Sequence, residues 1–259
     1  MTDPSDYQEK KSFFDRVLTV YGRKAVLETL QDSTLQCHAL HLAQSNREAG
    51  IVAEIRERAI SLDIPVKQHS REALARISKN GKQDQGVAVD VVCPSFGKLQ
   101  DYLAGPRPKS NVRLLALDGI HNPQNLGMII RSATAGNIDG IILSRKGTAA
   151  IGPLVIKASV GTVYRAPLLF CDSLTEALQH CRKHDAEICA LEASAELSLF
   201  DHRSQRLCVY ILGNETEGVG THLRELVDTP LSIPMRNGVE SLNVAVAASL
   251  IAYGSYFER

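Results

Sequence analysis

RLLALDGIHNPQNLGMIIRSATAGNIDGIILS, residues 113–144, is the stretch whose reading decides the architecture. Its first eight residues are almost continuously apolar, as suits a strand covered on both faces. Asn122-Pro123 then breaks the extended run, LGMIIRSA resumes at helical spacing, and GIILS reads as a second buried strand. Strand, helix and strand in that order are the grammar of a βαβ unit.

Further along come a helix at about residues 152–160, VYRAPLLF, the helix SLTEALQHCRKH, the strands EICALEA and CVYILG, a short loop and helix, the short strand LSIPM, and a helix from Leu242 onward. The prediction is an α/β domain with a parallel sheet flanked by helices, its ligand site in the loops at the strand C-termini. In the other direction the chain opens on a polar leader. YGRKAVLETLQD then reads as a helix with Val26, Leu27 and Leu30 on one side, LQCHALHLA as a strand and NREAGIVAEIRERAISLDI as a helix. PVKQHS is extended, SREALARISK is a helix behind a Ser cap, and QGVAVDVV alternates as a strand. This makes residues 17–95 a smaller α/β unit. Pro94, Gly105, Pro106 and Pro108, with Arg107 and Lys109 among them, mark 96–111 as a linker and 112–259 as the second domain.

The chain has 259 residues, enough for a core without staples, and 29 Lys+Arg against 29 Asp+Glu. Zero net charge argues against a globally basic nucleic-acid surface and leaves room for local patches. The six cysteines are scattered with no C-x-x-C pair, which suits reduced thiols. No apolar run reaches the length of a membrane span, and the first twenty residues mix acids and bases unlike a leader peptide, so the expected location is the cytoplasm. Neither G-x-x-x-x-G-K-[ST] nor G-x-G-x-x-G follows a strand, which argues against an ATPase or a standard dinucleotide enzyme.

Three strand-to-loop junctions carry the polar residues. In NPQNLGMIIRSA, Asn125 is placed to cap the helix, Gly127 permits close backbone approach, and Arg131 projects about 120° round from Asn125. Arg131 is then either a phosphate contact or a solvated charge. In LGNETEGVG, Glu215 and Glu217 suit acid/base work or the start of the next helix. In IPMRNGVESLNVAVAAS, Pro234 ends a strand, Asn237-Gly238 turn the chain, and Ser241 or Asn243 caps a helix of small residues. Among the histidines, His180 and His184 face water beside a buried stripe of Leu174, Ala177, Leu178 and Cys181, His38 and His41 look incidental, and His121 shapes the first loop.

These three blocks, in order, resemble the three motifs of the TrmH/SpoU branch of the SPOUT RNA 2′-O-ribose methyltransferases. Upstream, YGRKAVLETL and GVAVDV resemble that family's ribosomal-protein-like substrate-binding domain, with Asp84-Gln85-Gly86 where relatives often have His before Gln-Gly. The resemblance implies a C-terminal domain tied as a trefoil knot, a homodimer, and an S-adenosylmethionine pocket. Leu212, Gly213, Asn214, Ile233, Met235, Ser241 and Leu242 would hold the cofactor, Gly213, Ile233 and Leu242 chiefly through backbone. It assigns the chemistry to Arg131 with Asn125, Glu215, Ser241 and Asn243. Arg131 would either accept the 2′-hydroxyl proton or hold the phosphate and stabilise the alkoxide, with Glu215 orienting it and Asn125 contacting RNA or the Arg. No metal is expected. The implied substrate is RNA, first a guanosine of 23S-type large-subunit ribosomal RNA, with transfer RNA or a non-catalytic RNA-binding role as alternatives. Arg23, Lys24, Arg107 and Lys109 are the expected RNA contacts.

Overall fold

The computed structural model describes residues 9, 11–106, 111–214, 216 and 218–257. The first compact unit runs to Pro94 and takes in Ile151–Pro153; the second holds the rest from Ser95. In the first unit the elements are β1 (Val17–Tyr21), α1 (Arg23–Gln31), β2 (Gln36–Ala43), α2 (Ile51–Ser61), β3 (Val66–His69), α3 (Arg71–Ser78) and β4 (Val87–Val92). Their sheet has the order β1-β4-β2-β3, with β4 antiparallel to both neighbours and β3 parallel to β2.

Strand β1 lies inside the stretch read as a polar leader. VLTVY has charges before it and only alternate residues, Leu18 and Val20, are buried, so its apolar signal is half that of a central strand. What makes it a strand is a five-residue antiparallel ladder to β4. His41 proves structural rather than incidental. It is buried, with Nε2 3.0 Å from Asp90 Oδ2 and Nδ1 2.9 Å from His69 Nε2, while Thr19 Oγ1 donates to Asp90 Oδ1 at 2.7 Å. Asp84 anchors the turn into β4. Its Oδ1 accepts from Gly86 N–H and its Oδ2 from Ser78 Oγ–H, both at 2.9 Å, and Gly86 takes φ 76° where a Cβ would lie 2.6 Å from Asn46 Oδ1.

The second unit contains β5 (Gly97–Lys98), α4 (Leu99–Ala104), β6 (Arg113–Leu117), α5 (Pro123–Ala135), β7 (Gly140–Ser144), α6 (Pro153–Ala158), β8 (Leu168–Cys171), α7 (Leu174–Lys183), β9 (Glu187–Leu191), β10 (Cys208–Leu212), α8 (Thr221–Arg224), β11 (Thr229–Leu231) and α9 (Val244–Gly254). Its seven-stranded sheet has the order β11-β9-β10-β6-β7-β8-β5, and every neighbouring pair is parallel. Strand succession runs one way from β6 and the other way from β10, so the crevice beyond the carboxyl ends of these two adjacent strands is the topological switch point.

Three readings shift here. Residues 97–104, read as linker, form β5 and α4 because Leu99 and Leu103 are buried in the core of this unit with Leu169 and Leu178. The strand read in LSIPM ends at Leu231 and begins earlier, in TPL; Pro230 is tolerated because β11 pairs only with β9, at the sheet edge. His180 and His184 are half-buried with ring centroids 5.0 Å apart, rather than open to water, while the predicted stripe of α7 is buried.

Candidate functional site

The first junction begins where β6 ends. Asp118 donates its N–H to Leu212 O at 2.8 Å, and its Oδ2 accepts from Gly220 N–H at 2.8 Å, so the loops after β6 and β10 are tied together at their roots. Asn122, not Asn125, caps α5, with Oδ1 accepting from the N–H groups of Gln124 at 2.8 Å and Asn125 at 3.3 Å. The reason is Pro123: it occupies the first helical turn, where its missing N–H costs nothing, and so sets Asn122 as the last non-helical residue. Asn125 is thereby freed for another use. It is buried, and its Oδ1 accepts from Asn243 Nδ2 at 3.3 Å. Gly127 lets α5 close on α6, since a Cβ there would sit 2.5 Å from Ala158 Cβ and 2.7 Å from Val155 O.

The second junction follows β10. Gly213 admits no side chain: a Cβ would lie 2.0 Å from the Gly218 carbonyl and 2.2 Å from Val219 N. The chain folds back on itself through Gly218 N–H to Asn214 O at 3.0 Å, and Asn214 Oδ1 accepts from Thr216 N–H at 2.9 Å. Glu215 and Glu217 lie outside the described residues.

The third junction runs from β11 to α9. Asn237 and Gly238 have φ 59° and 71°, the left-handed turn expected of Asn-Gly. Of the two candidate caps, Asn243 is the one used, its Oδ1 accepting from Ala245 N–H at 2.8 Å. One side chain therefore caps α9 and holds Asn125 of α5.

The loops after β9, β10 and β11 line a cleft of about 850 Å³. Leu212, Gly213, Asn214, Ile233, Met235, Ser241 and Leu242, all seven predicted cofactor residues, line it. Leu212, Ile233, Val244 and Ala247 give it apolar lining, and Gly213, Ile233 and Leu242 lie outside strands and helices. A second cavity of about 400 Å³ adjoins it, sharing Asn214, Thr216 and Val244, and is walled by Gly119, His121, Asn122 and Asn125. Arg131 is exposed on α5, six residues beyond Asn125 and outside the lining of either cavity. Sequence reasoning did not single out Thr216 or Val244 of this shared wall; neither type carries a chemical signal alone.

In the first unit, Arg23 is engaged locally. Its N–H donates to Gln85 Oε1 at 3.0 Å and its Nε to Gln85 O at 3.3 Å, bracing the Gln85-Gly86 turn. The Lys24 ammonium is exposed, 3.9 Å from Glu28. Arg107 and Lys109 lie outside the described residues.

The model of the SpoU rRNA Methylase family matches residues 113–253, and that described as RNA 2′-O ribose methyltransferase substrate binding matches residues 19–95. Proteins of Mycobacterium ulcerans (strain Agy99) and Mycobacterium leprae (strain TN), each described as an uncharacterized tRNA/rRNA methyltransferase, are 30% identical over 237 residues, 92% of this chain and 76% of each relative. Among solved structures, the AdoMet-bound rRNA methyltransferase from Sinorhizobium meliloti has the same fold at TM-score 0.64 and 20% identity, covering 97% of this chain and 92% of that one. The SpoU methyltransferase AviRb from Streptomyces viridochromogenes, in complex with the cofactor AdoMet, matches at TM-score 0.61 and 20% identity, covering 98% and 93%.

Proposed function

The chain belongs to the SpoU rRNA methylase family and is an RNA methyltransferase, and from that premise we propose that it methylates the ribose 2′-oxygen of a guanosine in large-subunit ribosomal RNA from S-adenosylmethionine. The observation that carries this reading is the convergence of Leu212, Gly213, Asn214, Ile233, Met235, Ser241 and Leu242 on one cleft at the carboxyl ends of β9 and β10, beside the switch point of the parallel sheet. Its volume falls within the usual range of small-molecule sites, and the missing Cβ at Gly213 lets the Gly218-Val219 backbone close against it to form one wall. S-adenosylmethionine supplies an electrophilic methyl group on a sulfonium.

The chain must then bring a ribose hydroxyl to that methyl and carry away its charge. The smaller cavity, walled by His121, Asn122 and Asn125 and sharing Asn214, Thr216 and Val244 with the cleft, is where the nucleotide would enter. Arg131 is the cation for the phosphate and the developing alkoxide. A guanidinium stays protonated in proteins, so its role is electrostatic and the proton leaves through another group or water. Asn125, held by Asn243, fixes the first wall of the cavity, and Ser241 lines the cofactor side. Glu215 would orient Arg131. Lys24, with Arg107 and Lys109, would provide phosphate contacts in the substrate-binding unit, and Arg23 would act through the turn it braces.

A homodimer through the catalytic unit belongs to the same reading. Helix α9 is apolar around its circumference, with Val246 and Tyr253 exposed opposite the face that buries Ala248 and Ile251. The test is to incubate the protein with methyl-labelled S-adenosylmethionine and, separately, unmodified ribosomal and transfer RNA, then digest to nucleosides. Labelled 2′-O-methylguanosine from the ribosomal pool is the expected result. Label in transfer RNA would reassign the substrate, label on a base nitrogen would overturn the ribose assignment, and failure to bind the cofactor would leave an RNA-binding protein.

A further inference from the structure

The amino ends of β9 and β10 hold a side-chain cluster that methyl transfer does not use. Glu187 and Cys189 come from β9, Cys208 opens β10, and His202 comes from the loop between them. One ligand atom from each of the four lies within 4.8 Å of all the others. The Sγ atoms of Cys189 and Cys208 are 3.6 Å apart, His202 Nε2 is 3.7 Å from Cys189 Sγ, and the same nitrogen is 3.1 Å from Glu187 Oε1. Cys189, Cys208 and His202 are buried and Glu187 is half-buried.

We propose that Glu187, Cys189, His202 and Cys208 form a tetrahedral site for a structural zinc ion. Zinc–sulfur bonds of about 2.3 Å and zinc–nitrogen bonds of about 2.0 Å place tetrahedral sulfurs roughly 3.8 Å apart, and sulfur and nitrogen roughly 3.5 Å apart. The observed 3.6 and 3.7 Å match that spacing. Two thiolates, an imidazole and a carboxylate are the mixed donor set that zinc takes and that magnesium or calcium does not.

Outer partners are also in place. Tyr210 Oη lies 3.4 Å from His202 Nδ1, the ring nitrogen not turned to Cys189 and Glu187, and Thr229 Oγ1 donates to Glu187 Oε1 at 2.8 Å. Such contacts set the imidazole tautomer and the carboxylate orientation at metal sites. A cavity of about 230 Å³ lined by His202, Cys208 and Tyr210, with Arg113 and Arg206, provides a route in and cationic balance for a site of net charge −1. On binding, the two thiol S–H bonds break and their protons pass to solvent, two metal–sulfur bonds form, and the carboxylate and the neutral imidazole nitrogen each add one bond.

Position in the sheet makes the role structural. Glu187 and Cys208 are the first residues of their strands, whereas the cofactor cleft is lined by the last, Leu191 and Leu212. Residues 192–207 between the strands carry no helix and one isolated bridge, Ser198 to Ser232, so a metal on His202 would fasten a long irregular loop to the sheet.

The experiment uses the full chain without an affinity tag, kept reduced, with free thiols counted chemically. Bound metal is quantified on the purified protein, and the chelator-stripped protein is titrated with Zn²⁺ and with Co²⁺ alone. The expected result is about one zinc per chain and a cobalt spectrum with thiolate charge-transfer bands and the intense visible bands of four-coordination. Cys189→Ser should remove part of the charge-transfer intensity. Tyr210→Phe, which keeps all four ligands and the core volume, should weaken zinc by about tenfold. Full reduction with no zinc and no cobalt thiolate band in the wild-type chain would overturn the proposal in favour of a dry Glu–His pair beside two thiols. A Cys189–Cys208 disulfide persisting in the purified protein at ordinary reductant would overturn it in favour of a redox pair.

Discussion

The same two strands, β9 and β10, end in opposite physical regimes. At their carboxyl ends Leu191 and Leu212 open into a wide cleft walled by three loops. At their amino ends Glu187, Cys189 and Cys208 meet His202, and Tyr210 and Thr229 complete the polar contacts in a largely buried pocket. One end is built largely from loops, and at Gly213 the missing side chain lets the Gly218 and Val219 backbone close against it. The other end concentrates side-chain donors until little but an ion fits between them. A parallel sheet makes this division natural, because all its strands point their carboxyl ends, and hence their ligand-binding loops, the same way.

The strongest test of the open end is Gly213→Val. The new side chain collides with Gly218 backbone, so S-adenosylmethionine affinity should fall on the order of a thousandfold, about 4 kcal/mol, by calorimetry. Unchanged affinity would remove that loop from the cofactor site. Next comes Arg131→Ala, expected to lower kcat by a factor of about 10²–10³ while cofactor affinity stays within about twofold. Retained turnover would take Arg131 out of the chemistry.

At the closed end, removing zinc by chelation should lower the melting temperature while cofactor affinity barely moves; zinc at a hundredfold excess over its Kd stabilises by about 2.7 kcal/mol. Coupled loss of cofactor binding would show that the two ends are not independent. The smallest effect is Asn243→Ala, which loses the α9 cap for about 1 kcal/mol. It should cost activity more than the cap variant Ser173→Ala at the start of α7, because Asn243 also holds Asn125. Equal activity in the two would reduce Asn243 to a cap alone.

The second unit was the more legible in sequence. Strands buried on both faces, such as β6, β7 and β10, read as continuous apolar runs. β1 and β5 were missed because an edge strand of alternating pattern, or of two residues, has too little local signal. The cofactor candidates were found through the motif resemblance rather than through periodicity. Asn125 was read as a cap because Asn near a helix start usually is one; Pro123 moved that task to Asn122.

By itself the sequence determined the α/β alternation, the three polar loops after strands and the residue types they offer, since these depend on neighbours within one or two turns. Only the tertiary structure decided which loops meet. That the roots of the β6 and β10 loops are joined through Asp118, that Asn243 reaches back to Asn125, and that His202 closes on thiols from two different strands are consequences of strand order. Strand order is set by which apolar faces bury one another across the whole sheet, a long-range sum that no single stretch of chain contains.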